Sequence, residues 1–169
     1  MILINELNPK HVQLFWGLRL EALKNHPEAF SSSYEDSVQT PLEDVEKRIK
    51  NDKDNYILGA FTENGQLVGI AGFRREQGIK VKHKGMIWGV YVSAEHRGKG
   101  IAQSLIKEIL TRGKEIEGLM QISLGVTQSN KVAAELYKKL GFETYGVEKN
   151  ALIYKNQGYD EELMNYFIK

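Results

Sequence analysis

The chain has 169 residues, no cysteine and a formal net charge of +1 at neutral pH. Its length predicts one domain, residues 1–169, whose core is large enough to fold without metal or disulfide crosslinks. A charge this close to zero provides no overall field to recruit nucleic acid or a membrane surface. The lack of cysteine excludes disulfides, a thiol nucleophile and a cysteine-based zinc site.

The N-terminus does not have the pattern of a secretory signal. Only four apolar residues precede Asn5, without a basic start or a longer apolar run. No run of about 18 apolar residues, the length of a membrane-spanning helix, occurs anywhere in the chain. The sequence therefore predicts a cytoplasmic protein that does not enter a membrane.

The N-terminal segment predicts a strand, "ILINEL", followed by a helix, "NPKHVQLFWGLRLEALKNHP". Asn8 suits the N-cap and Pro9 the first helical position. The following "EAFSSSYEDSVQ" is expected to be an ordered loop. "TPLEDVEKRIK" then predicts a second helix, with Thr40 as its cap and Pro41 at its first position.

The central segment predicts an antiparallel meander. "NYILGAFT" and "LVGIAGFRR" flank Asn64-Gly65, a strong hairpin signal, and "GMIWGVYV" is a further strand. A helix follows, and its apolar stripe contains Ile101, Ala102, Leu105, Ile106, Ile109 and Leu110.

The C-terminal segment predicts the strand "GLMQISLGVT", the helix "SNKVAAELYKKLGF" and two closing strands, "ETYGVEK" and "EELMNYFIK". Gly141 suits the position just after the helix. The residues of this helix expected to face inward are Val132, Ala133, Leu136, Tyr137 and Leu140. The resulting order, β-α-α-β-β-β-α-β-α-β-β, predicts a mixed α/β sheet and not a repeating doubly wound one.

A glycine-spaced basic turn joins the strand "GMIWGVYV" to the next helix. Three interpretations of this turn compete: a phosphate cradle, a nucleic-acid contact, or a tight turn with a cationic rim. Gly98 and Gly100 permit close backbone approach, the first turn of a helix carries unpaired N–H groups, and Arg97 and Lys99 add positive charge. These features favour anion binding, while the near-neutral net charge argues against nucleic acid.

Two familiar phosphate motifs do not fit this turn. A P-loop needs glycine at position 93 and Ser or Thr after its lysine, but the chain has Ser93 and Gly100 there. A dinucleotide fingerprint starting at Gly98 needs glycine at position 103, where the chain has Gln103. The turn therefore matches neither a P-loop nor a dinucleotide-binding fingerprint.

Two motifs in the chain do match a known family. Arg97-x-x-Gly100-x-Ala102 opens one helix, and Asn130 and Tyr137 lie in "NKVAAELYKKLGF" downstream. On these residues, their spacing and the element order, the chain resembles the GNAT superfamily of acyl-CoA N-acyltransferases. The resemblance implies an α/β (α+β) fold with a mixed, mostly antiparallel central sheet of about seven strands, flanked by four helices.

The resemblance also implies acetyl-CoA as the acyl donor. The pantetheine arm would pair with the backbone of the fourth strand as an added strand, and the pyrophosphate would lie on the helix N–H groups. The residues implied for the donor are Val90, Tyr91, Val92, Arg97, Gly98, Lys99, Gly100, Ile101, Ala102 and Asn130.

By the same resemblance, a primary amine attacks the thioester directly and Tyr137 protonates the departing thiolate. Some relatives carry a glutamate as general base five residues before the asparagine, where this chain has Gly125. Glu28, Glu35 or a chain of water molecules are the alternatives for that task. An acyl-CoA-binding sensor without turnover is the alternative function that Gly125 leaves open.

The acceptor is expected beside the loop that follows the first helix, on a wall formed by Glu28, Phe30, Ser33 and Tyr34. Tyr159, Asp160 and Glu161 are a second candidate edge, able to attract a cationic amine. The histidines have no ligand spacing, so no metal is expected. Members of this family are often dimers, and a homodimer stays open here.

Overall fold

The computed structural model describes residues 1–169 and contains one seven-stranded sheet with the strand order β1-β2-β3-β4-β5-β7-β6. Only β4 and β5 pair in parallel, and the other neighbours are antiparallel. The mixed, mostly antiparallel sheet is therefore confirmed. The strands are β1 (Ile2–Glu6), β2 (Asn55–Thr62), β3 (Leu67–Arg75), β4 (Lys84–Val92), β5 (Gln121–Thr127), β6 (Glu143–Tyr154) and β7 (Gln157–Phe167).

Five α-helices accompany the sheet, one more than expected. The helices are α1 (Val12–Asn25), α2 (Tyr34–Ser37), α3 (Leu42–Arg48), α4 (Ile101–Glu115) and α5 (Lys131–Lys139). The additional helix, α2, is a single turn inside the segment predicted as a loop. It forms there because the Ser33 hydroxyl accepts a hydrogen bond from the Asp36 N–H at 3.1 Å, which caps the turn.

The proline positions differ by a few residues from the prediction. Pro9 starts a 3₁₀ turn, Pro9–His11, and α1 begins only at Val12. Pro41 is the N-cap of α3 and not its first residue, because its backbone is extended (ψ 141°) while its carbonyl accepts the first helical hydrogen bonds. Both prolines still mark the start of a helical segment, as their fixed φ favours.

Two apolar clusters pack on the sheet. One contains the buried stripe of α4, including Leu105, Ile106 and Ile109, and the other contains residues of α1 and α3 such as Phe15 and Val45. The predicted stripe of α4 is confirmed at Ile101, Leu105, Ile106, Ile109 and Leu110, while Ala102 is only half-buried. The predicted inward face of α5 is wrong at Val132, which is 85% exposed, because α5 turns that residue toward a cavity and not toward the core.

None of the helices combines the length and the apolar character that a membrane-spanning helix needs.

Candidate active site

The site is built where β4 and β5 separate. The two strands pair over only three residue pairs, from Lys84–Gln121 to Met86–Ser123. Beyond this point β4 continues to Val92 alongside β3, and β5 continues to Thr127 alongside β7. The facing edges of β4 and β5 therefore carry backbone N–H and C=O groups without a partner strand, as an extended ligand requires.

A β-bulge lies in β4 at the start of this opening. Ile70 of β3 pairs with Tyr91 and Gly72 pairs with Trp88, so Ala71 faces the two residues between them. One of these, Gly89, has φ +66°, a left-handed conformation that glycine adopts without strain. The bulge redirects the backbone N–H groups next to it, among them that of Val90.

We expect Gly89→Ala to destabilise the protein by about 1–2 kcal/mol, because a side chain is strained at this φ. A matched control is Gly17→Ala in α1, where an added Cβ meets nothing within 4 Å. The control should raise stability by about 0.5–1 kcal/mol, as Ala replaces Gly inside a helix. Urea unfolding of both variants measures the difference, and equal stabilities would contradict the requirement for glycine at position 89.

The turn before α4 forms an open cradle. Gly98 and Gly100 have φ +75° and +78°, and a Cβ built on either one would have no heavy atom within 4 Å. Gly100 is the N-cap of α4, and no side chain caps the helix. The first N–H groups of α4 are therefore free to bind an anion, which the helix dipole also favours.

A cavity of about 620 Å³ joins these features. Of the residues implied for the donor, Lys99 alone does not line the cavity. The lining also includes residues that the sequence did not indicate as part of the site, among them His26, Thr127 and Leu136. The implied donor residues in the lining are Val90, Tyr91, Val92, Arg97, Gly98, Gly100, Ile101, Ala102 and Asn130.

The Arg97 guanidinium folds back over the end of β4 and does not project freely from the rim. Its Nε donates to the carbonyl of Val92 at 2.9 Å, and its Cζ lies 5.4 Å from the centre of the Tyr91 ring. Its Nη2 lies 3.0 Å from Nε2 of His26. Arg97 therefore ties the end of β4 to the segment after α1, and it keeps positive charge at the cavity wall.

Tyr137 and Asn130 come from α5. Tyr137 lines the cavity, is only 6% exposed, and packs its ring on Phe142 with 6.0 Å between the centroids. Burial raises the pKa of its hydroxyl to about 12, so the group is protonated at neutral pH and able to donate. The Asn130 side chain accepts from the Ala133 N–H at 3.2 Å, which caps α5 and leaves its amide donors available.

A second cavity of about 80 Å³ lies deeper in the opening between β4 and β5. It shares Phe30, Asn130 and Tyr137 with the large cavity, and Gly89 and Gly125 are also part of its wall. The space between Tyr137 and the first residues after α1 is therefore continuous with the separated strand edges.

The expected acceptor wall is only partly in place. Glu28 and Phe30 line the large cavity, but Ser33 and Tyr34 do not line either cavity. The one-turn helix α2 explains the difference, because Ser33 caps it and Tyr34 lies under the Lys24 ammonium at 5.7 Å. Ser33 and Tyr34 therefore lie outside both cavities, and their contact with the acceptor stays a prediction.

The two carboxylates of β7 have different surroundings. Asp160 accepts from the Asn150 N–H at 2.9 Å and from Lys149 Nζ at 3.1 Å, within the β6–β7 hairpin, and these bonds lower its pKa. Glu161 is half-buried and belongs to the sheet face of Thr127, its register partner on β5. Only Glu161 is thus directed along the sheet toward the cavity wall.

One buried cation near the site was not predicted. Arg19 of α1 lies between the rings of Phe30 and Trp88, with its Cζ 5.0 and 5.9 Å from their centroids. Its Nη1 is buried without a hydrogen-bond partner, and burial lowers its pKa. Arg19 recurs at helical spacing with Phe15 and Leu23, which places it on the apolar stripe of α1. Its packing between two rings has no signal in the sequence, because an arginine in an amphipathic helix is usually solvated.

Separated parallel strands next to an uncapped, glycine-led helix suit an elongated ligand with an anionic end. Residues 20–142 match the model of the acetyltransferase (GNAT) family. The chain therefore belongs to this family, as its motifs indicated.

Relatives of known sequence or structure agree with this assignment. A candidate ribosomal protein bS18-alanine N-acetyltransferase of Bacillus subtilis is 27% identical over 88% of this chain and 91% of its own. The crystal structure of a GNAT-family acetyltransferase from Streptococcus pneumoniae is similar over the whole of both chains, with a TM-score of 0.87 and 24% identity. A phosphinothricin acetyltransferase from Sinorhizobium meliloti, solved in complex with AcCoA, matches 99% of this chain and 88% of its own (TM-score 0.84, 18% identity).

Proposed function

We propose that residues 1–169 form one N-acetyltransferase domain that transfers an acetyl group from acetyl-CoA to a primary amine. The observation that carries the proposal is the cavity in which the free edge of β4, the first turn of α4 and Tyr137 meet. The three parts suit the pantetheine amides, the pyrophosphate and the thioester of one ligand.

In this mechanism the enzyme supplies position and protons. The amine, held in the space beside Phe30, attacks the thioester carbonyl, and a backbone N–H next to the β4 bulge, that of Val90 or a neighbour, stabilises the oxyanion. The carbon–nitrogen bond forms and the carbon–sulfur bond breaks. Tyr137 gives its proton to the departing thiolate, and its raised pKa keeps that proton available.

The second candidate function is an acyl-CoA sensor without turnover. Gly125 favours this function, because it stands at the position where some relatives carry the glutamate that acts as general base. The sensor function is disfavoured by the protonated tyrosine at the cavity wall, which binding alone does not require.

Calorimetry and thiol release separate these functions. We expect acetyl-CoA to bind more tightly than NAD or ATP, and a preference for either of these would overturn the proposal. Release of CoA thiol is then followed with a peptide N-terminal amine, a lysine side-chain amine and small alkylamines. Thiol release that depends on one of these amines supports the enzyme, while binding without release from any of them favours the sensor.

A further inference from the structure

We propose that Glu161 accepts the proton of the attacking amine, and that position 125 is glycine because the Glu161 carboxylate lies in the space a side chain there would fill. The proposal rests on the proposed function. It assigns the general base to β7, whereas Glu28 and Glu35 were the candidates that the sequence indicated.

The geometry of β5 and β7 carries the proposal. Thr127 pairs with Glu161 and Gly125 with Leu163, so Gly125 and Glu161 are diagonal neighbours on one face of the sheet. A Cβ built on Gly125 overlaps Oε1 of Glu161 and lies 2.7 Å from its Cδ and 3.2 Å from its Cγ. The carboxylate therefore lies against the one residue of β5 that has no side chain to exclude it.

Glu161 is not itself part of either cavity wall, but the residue that its carboxylate lies against is. Gly125 is part of the wall of the deeper cavity, together with Tyr137, Asn130 and Gly89. The turn Pro27–Ala29 packs on β5 and β6, the two strands that flank β7. The Pro27–Ala29 turn, on the expected acceptor side, therefore covers the part of the sheet that contains Glu161. Only Gly125 separates the Glu161 carboxylate from the deeper cavity.

The surroundings of Glu161 favour a base and not a structural ion pair. Glu148 of β6 is its register partner, and burial together with this second carboxylate raises the pKa of Glu161. No cation forms an ion pair with Glu161, whereas its neighbours Asp160 and Glu162 pair with Lys149 and Lys138. Glu28, on the Pro27–Ala29 turn, differs from Glu161 because its Oε1 lies 3.8 Å from Nδ1 of His26.

The proton balance is complete with the groups named. An alkylammonium ion loses one proton to Glu161, directly or through one water molecule, and Glu161 returns it to solvent. The neutral amine forms the carbon–nitrogen bond, and the carbon–sulfur bond breaks. After the attack, the nitrogen of the adduct loses a second proton, which replaces the proton that Tyr137 gives to the thiolate. One proton is therefore released to solvent per turnover.

The test compares Glu161→Gln with a variant of the rival base, Glu28→Gln. A control, Glu143→Gln, removes the same charge from an exposed position of β6 outside both cavities. With the most active alkylamine of the panel, we expect kcat of Glu161→Gln to fall roughly a hundredfold with acetyl-CoA affinity unchanged. The wild-type kcat should level off above the raised pKa of Glu161, and kcat of the variant should rise with pH throughout. The control variant Glu143→Gln should stay within about threefold of wild type, and Glu28→Gln should keep the wild-type pH dependence of kcat.

An alkoxyamine, whose nitrogen is already unprotonated at neutral pH, should be acetylated by Glu161→Gln at nearly the wild-type rate. Gly125→Ala should displace the carboxylate and reduce kcat with the alkylamine, and combining it with Glu161→Gln should add little further loss.

If the wild type releases thiol and Glu161→Gln is equally active, the assignment of Glu161 is overturned while the proposed function stands. A loss confined to Glu28→Gln would transfer the role to Glu28, and an equal loss with the alkoxyamine would assign Glu161 a structural role. Absence of wild-type thiol release with every amine would overturn the proposed function and this proposal together.

Discussion

Replacing Tyr137 by phenylalanine should lower kcat by roughly 10²–10⁴-fold and leave the affinity for acetyl-CoA within about threefold of wild type. The ring, which packs on Phe142, is kept, and only the hydroxyl is lost. That hydroxyl is held protonated by a pKa of about 12, so its loss removes the donor for the thiolate. Steady-state thiol release and calorimetry measure the two quantities.

A suitable control is Tyr145→Phe, because Tyr145 is 64% exposed on β6 and outside both cavities. It should behave as wild type in both measurements. A large loss of acetyl-CoA affinity in Tyr137→Phe with unchanged kcat would contradict the role as proton donor. So would a wild-type kcat that falls between about pH 8 and 10 because Tyr137 ionises, since the hydroxyl is expected to keep its proton there.

The second large effect is expected from Ala102→Asp in the first turn of α4. A carboxylate there is favourable for the helix, worth about 0.3–1 kcal/mol, because it compensates the dipole and the free N–H groups. The same carboxylate occupies and repels the proposed pyrophosphate site. We therefore expect acetyl-CoA to bind at least about tenfold more weakly, which is about 1.4 kcal/mol, while the free energy of unfolding stays equal or rises.

Calorimetry and urea unfolding test this pair of opposite changes. Lys107→Gln is the matched control, since it removes one positive charge from an exposed position of the same helix, away from the cavity. It should change the affinity only slightly, because exposed charges are screened by salt. Unchanged affinity in Ala102→Asp would contradict anion binding at the first turn of α4.

Local patterns predicted most of the fold because they depend on neighbours in the chain. The stripe from Ile101 to Leu110 follows the 3.6-residue period of a helix, and Asn64-Gly65 marks the hairpin that joins β2 to β3. The errors also have local causes. A one-turn helix depends on a single cap at Ser33, and the inward face of α5 includes Val132, which borders a cavity and not the core.

The candidate site divides in the same way. The left-handed turn at Gly98 and Gly100 and the helix it opens come from consecutive residues, so the sequence by itself determined the local geometry of the proposed anion site. The burial of Arg19 between two rings, the return of Arg97 onto β4, and the contact of Glu161 with Gly125 join residues far apart in the chain. Only the tertiary structure decided these, because sheet register and packing across the sheet bring such side chains together and no local pattern encodes them.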